Sequence, residues 1–162
     1  MSDTIKESPV HPVTVEDLRN LEFWDRLGSD HLARLAEIAV RVELPGDFEL
    51  FREGDPADTV YIVIWGRVSL SIHVPGREDA IVGTISPGEL LGWSALMTKR
   101  KWLATARTRK PTSLLAMPGE DLASVCEFDH EIGYYVMRSA FAAVAGRLQD
   151  TRLQLLDMFA KP

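Results

Sequence analysis

The spacing of apolar positions changes twice along the chain. Near the N-terminus, Thr14 precedes Val15, Glu16 and Asp17, an N-cap with acids in the first turn, so a short helix is expected with Leu18 and Leu21 on one face. From Ser29, with Asp30 in the first turn, Leu32, Leu35, Ala36 and Ala39 recur at helical spacing and predict a second helix ending near Val40. Pro45-Gly46 then marks a turn, and the texture becomes that of short strands. Residues 48–51, 59–65, 67–74, 80–85, 102–106 and 112–117 are β-rich runs separated by Gly and Pro signals, and Gly88 and Gly92 bracket one more short strand. Many short strands joined by turn residues predict an antiparallel barrel or double-sheet roll. After Pro118 helical spacing returns, as a short helix over 120–127 and one long proline-free helix over 129–159.

These elements predict an α+β, mainly β chain. It is an antiparallel double-sheet β-roll, jelly-roll-like, with short N-terminal helices and a long C-terminal helix. Residues 1–13 are expected to be a flexible tail, 14–127 the roll with its flanking helices, and 128–160 the long helix. On that helix Met137, Phe141, Val144, Leu148, Thr151, Leu155 and Met158 alternate at spacings of four and three, a heptad seam. Such a seam predicts a homodimer through the C-terminal helix. The alternative is a helix that folds back and packs within one subunit. Gly146 sits beside the seam, where a glycine lets two helices approach closely.

A length of 162 residues suits one domain with a real core. The net charge of −6 argues against a general nucleic-acid surface. The charge is uneven, however: no acid lies between Glu89 and Glu120, while Lys99, Arg100, Lys101, Arg107, Arg109 and Lys110 do. That stretch is either a solvated basic face or a local field suited to an anion. No apolar run approaches the roughly 20 residues that span a bilayer, and the N-terminus is polar, so a cytoplasmic protein with no membrane partner is expected. The single cysteine, Cys126, reads as a structural thiol. His11, His31, His73 and His130 form no ligand-spaced pair and no nucleophile–base arrangement is visible, so neither catalytic residues nor a metal site are expected.

Several segments together resemble the cyclic-nucleotide-binding domain of the catabolite activator (Crp/Fnr-like) family, over roughly residues 23–158. Phe23-Trp24-Asp25-Arg26-Leu27 before Ser29-Asp30-His31-Leu32 looks like the family's opening helices. Arg52-Glu53-Gly54-Asp55-Pro56-Ala57-Asp58, then Val60-Tyr61-Ile62-Val63 and Gly66-Arg67-Val68, looks like its strand–turn–strand core. Pro87-Gly88-Glu89-Leu90-Leu91-Gly92 looks like the lead-in to its phosphate-binding cassette. The resemblance implies a sensor or regulatory module. It would take cyclic AMP or another cyclic nucleotide in the roll and signal through the C-terminal helix. The ligand candidates it marks are Gly92, Trp93, Ser94, Ala95, Leu96, Arg100, Trp102, Ala104 and Thr105. Family members that bind DNA carry a helix-turn-helix after the long helix. This sequence stops at Pro162, so no direct DNA binding is expected.

Two positions depart from the pattern. Trp93 stands where the family's ribose-binding glutamate belongs, and Trp102 or Leu103 where its phosphate-neutralising arginine belongs. A charge-assisted hydrogen bond is worth about 1.5–3 kcal/mol, so losing both weakens binding by about two to four decades. Arg100, Lys101 or Arg107 could supply a replacement cation. Otherwise the tryptophans stack on a flatter ligand, fill the pocket, or admit a nucleotide in another geometry. The competing reading is a dimerisation or interaction module that has lost cyclic-nucleotide binding.

Overall fold

The computed structural model describes residues 9–97 and 101–160. The chain runs β1 (Val10–Pro12), α1 (Val15–Arg19), a 3-10 turn (Glu22–Trp24), α2 (Ser29–Ile38), β2 (Val40–Leu44), β3 (Glu49–Phe51), β4 (Thr59–Trp65), β5 (Val68–Ile72), β6 (Ala80–Ile85), β7 (Leu90–Leu91), a 3-10 turn (Trp93–Leu96), β8 (Thr105–Thr108), β9 (Thr112–Pro118), α3 (Gly119–Phe128) and α4 (His130–Ala160). Two antiparallel sheets form the roll, in the orders β1-β2-β9-β4-β7 and β3-β8-β5-β6. The double-sheet roll with flanking helices and a long C-terminal helix is therefore the observed fold.

Local chemistry explains most element ends. The Thr14 hydroxyl accepts from the Asp17 N–H at 3.2 Å, and the Asp17 carboxylate accepts from the Thr14 N–H at 2.8 Å, closing a capping box on α1. Continuous apolar runs put β4 and β9 at the centre of their sheet, where Val60–Val63 and Leu114–Met117 are buried on both faces. Asp129 starts α4: its Oδ1 accepts from the N–H groups of Glu131 at 3.2 Å and Ile132 at 3.3 Å. Its Oδ2 accepts from Arg34 of α2 at 2.6 Å, which ties the long helix to the N-terminal helices.

Three expectations are corrected. The segment read as a flexible tail contributes a strand: Val10–Pro12 pairs with β2, Val10 opposite Val42. Pro12 is tolerated there because β1 is at the sheet edge. The helix expected to run to Val40 stops at Ile38, and Val40–Leu44 is a strand instead. Val40, Val42 and Leu44 alternate with Arg41 and Glu43, a period of two that wins once the segment pairs with β9. Finally, β8 begins at Thr105, not at Trp102. The Trp102 backbone is held by a turn: Gly54 donates to the Trp102 carbonyl and Trp102 donates to the Asp55 carbonyl, each at 2.9 Å.

The long helix leaves α3 and crosses the open side of the roll. Ile132, Val136 and Ala140 are its buried anchors. No helix among the described residues is long and apolar enough to cross a membrane.

Candidate functional site

The roll carries an open cavity of about 240 Å³. Its wall is built from four places: Phe51 of β3, Leu70 and Ile72 of β5 with Val82 of β6, the turn residues Gly92, Trp93 and Ser94, and the Trp102-Leu103-Ala104 segment. Arg147 and Thr151 of α4 close it. The wall is mostly apolar, and Arg147 is its one charged residue among those described.

The geometry of the turn follows from Gly92. Its φ is +82°, and a β-carbon there would lie 2.6 Å from the Thr59 carbonyl oxygen and 3.2 Å from the Trp102 ring. Glycine is needed both for the left-handed backbone and for the close approach. The turn that follows is closed by Ala95 donating to the Gly92 carbonyl at 2.9 Å. Trp102 fills the space beside Gly92. It is buried and stacks on Phe51 with ring centroids 3.8 Å apart and planes 12° from parallel.

The structure gathers some of the sequence candidates and separates others. Gly92, Trp93, Ser94, Trp102 and Ala104 line the cavity. Ala95 and Leu96 lie behind it, where the Ala95 carbonyl meets Gly119 at the start of α3. Thr105 turns away, and its hydroxyl accepts from the Glu53 N–H at 3.1 Å. Arg100 lies outside the described residues. Of the other replacement cations, Lys101 is exposed. Arg107 donates to the Glu49 carboxylate at 2.9 Å and to the Asp47 carbonyl at 3.1 Å. The inward face of this segment therefore carries Trp102, Ala104 and Ala106, with Thr105 and Arg107 outside.

Arg147 is the residue that sequence reasoning missed. It lies on the face of α4 that carries Val136, Ala140 and Ala143, at spacings of four, three and four. A cation at a roll-facing position was the available signal. Its Nη2 is sealed from solvent and has no hydrogen-bond partner. Burial works against its charge, and Glu89 partly offsets that. On its other side Arg147 borders a cleft of about 300 Å³ between α4 and the β6–β7 turn, lined by Glu89, Ser139, Ala142, Ala143, Gly146 and Asp150 among others. The Glu89 carboxylate already accepts from the Ser86 N–H at 2.6 Å. Gly146 thus faces the roll, and a β-carbon on it would meet nothing within 4 Å.

The predicted seam divides as well. Met137, Phe141, Val144 and Leu148 are exposed on one stripe of α4, with Tyr134 beside them. Thr151 instead lines the roll cavity, and the side chains of Leu155 and Met158 lie outside the described residues. Cys126 is half-buried, and burial with the nearby Asp129 and Glu127 pushes its thiol up to about 11, as suits an inert group. Among the described residues no cluster of His, Cys, Asp or Glu could hold a metal.

Comparison with known proteins places this geometry. The family model described as the cyclic nucleotide-binding domain matches residues 41–129, more than half of the chain. A lysophospholipase of Aspergillus fumigatus is 32% identical over 96 residues, 52% of this chain and 6% of that protein. The CRP-like cAMP-activated global transcriptional regulator of Mycobacterium tuberculosis is 24% identical over 127 residues, 78% of this chain and 55% of that protein. The chain thus spans about half or less of these relatives' own length. The crystal structure of a cyclic nucleotide-binding domain from Methylobacillus flagellatus superposes with a TM-score of 0.83 at 14% identity, covering 98% of this chain and 93% of that one.

Proposed function

The chain belongs to the cyclic nucleotide-binding domain family, and from that premise we propose that it is a sensor module, not an enzyme, which takes a small anionic ligand in the roll and signals through α4. The observation that carries this reading is the cavity of about 240 Å³ closed by Arg147 and Thr151 of the helix itself. A ligand there touches Gly92, Trp93 and Ser94 and α4 at once, so occupancy and helix position are coupled if the ligand binds two helix positions differently. The relative from Mycobacterium tuberculosis, a cAMP-activated regulator by name, supports the class of function. The exposed stripe Met137, Phe141, Val144 and Leu148 supports a homodimer through α4. We place the module in the cytoplasm.

Calorimetric titration of the purified chain against cyclic AMP, cyclic GMP, cyclic di-GMP and small aromatic acids tests the ligand part. Saturable heat with any one of them supports the sensor. No heat at millimolar concentration with all of them favours the second reading, a dimeric interaction module whose roll has been filled by Trp102 and Phe51.

A further inference from the structure

We propose that Arg147 is the anion anchor of the roll, delivered by α4 rather than by the roll itself, and that the cavity takes a small aromatic monoanion such as an aromatic carboxylate. This rests on the sensor reading and names its ligand class. Four observations carry it. The wall is dominated by Trp93, Trp102, Leu70, Ile72, Val82 and Leu103, so it suits a flat apolar body. Among the described residues no acidic side chain lines the cavity, so none of them offers a carboxylate to accept the hydroxyls of a sugar. The volume of about 240 Å³ lies at the small end for ligand pockets, which suits a body of one or two fused rings.

The fourth observation is the cation. Arg147 lines the cavity, its Nη2 has no hydrogen-bond partner, and Glu89 offsets the burial of its charge only in part. A partly buried charge that is only partly compensated is costly, and a ligand carboxylate against the cavity-lining part of Arg147 supplies a further partner. The planar guanidinium fork matches a carboxylate through two parallel hydrogen bonds. Trp102 occupies the space beside Gly92, and among the described residues the cation on the wall comes from α4. Binding then ties the helix to the roll through the ligand.

The test is calorimetric titration of the full chain with 2-naphthoate, its neutral amide 2-naphthamide and cyclic AMP, repeated on Arg147→Gln and Arg147→Lys. Naphthoate is expected to bind about 10- to 150-fold more tightly than the amide, the worth of one charge-assisted contact. Arg147→Gln removes that difference while amide affinity stays the same, which also shows the cavity intact, and Arg147→Lys restores part of it. Equal binding of acid and amide, or an unchanged difference in Arg147→Gln, overturns the anchor and leaves the sensor reading standing. Tighter binding of cyclic AMP than of naphthoate overturns the ligand class alone. Absence of binding by all three probes overturns the inference, and the sensor reading falls with it only where cyclic GMP and cyclic di-GMP also give no heat.

Discussion

A β-carbon on Gly66 would lie 2.4 Å from the Thr112 hydroxyl and 2.6 Å from its Cα, on a backbone with φ of +104°. Gly66 carries the chain from β4 to β5, from one sheet into the other, and the Thr112 hydroxyl accepts from the Arg67 N–H at 3.2 Å beside it. Gly66→Ala therefore combines left-handed strain with overpacking, and is expected to cost about 3 kcal/mol or more in urea unfolding. Gly146 behaves in the opposite way. It lies in a helix interior with open space where a β-carbon would go, so Gly146→Ala should stabilise the fold by about 0.5–1 kcal/mol. The turn glycines were legible in the sequence because a strand–Gly–strand pattern has few readings. The role of Arg147 was not, because its environment is set by the crossing of α4 over the roll, a contact between residues far apart in the chain.

At the level of elements, the junction of α3 and α4 is where the long helix is fixed. Burial works against the charged form of Asp129, but the N–H of Ile132, then His31, the N–H of Glu131 and Arg34, outweigh it and hold the carboxyl below its ordinary value of about 3.8. The folded state thus favours the ionised form more than the unfolded chain does. Asp129 contributes stability that is complete above that ordinary value and is lost as the pH falls through its lowered folded one. Asp129→Ala should cost about 1 kcal/mol at neutral pH through the lost cap, and more through the unpaired Arg34. In a pH series of thermal unfolding the variant should lack the part of the acid decline that Asp129 supplies. The strand pattern around this core was largely readable: 59–65 and 80–85 coincide with β4 and β6. Strand β2 was missed, because Val40 closes a helical spacing and opens an alternating one at the same time. The pairing with β9 decides between them.

On the scale of the whole molecule, α4 presents two faces with different tasks. One face, from Ile132 through Ala140 to Arg147, belongs to the roll and its cavity. The other carries Tyr134, Met137, Phe141, Val144 and Leu148, exposed in a line. Replacing Phe141 and Leu148 together by glutamate should leave the fold of the subunit intact by circular dichroism, since both are exposed on α4 away from the roll. Sedimentation velocity at micromolar concentration should show the wild type as dimer and this variant as monomer. The 4-3 spacing made the stripe visible in the sequence. Thr151, an exposed position at the same spacing, also borders the roll cavity, a contact that only the crossing of α4 over the roll reveals.

In the proposed sensor, occupancy of the roll is felt by the helix that borders it. Amide hydrogen exchange on the full chain, free and saturated with the tightest ligand of the calorimetric panel, measures this directly. Slower exchange is expected both in the 92–96 turn and in the 139–151 stretch of α4, with strands β1 and β2 unchanged. Protection confined to the roll, with α4 exchanging at the same rate in both states, would contradict it.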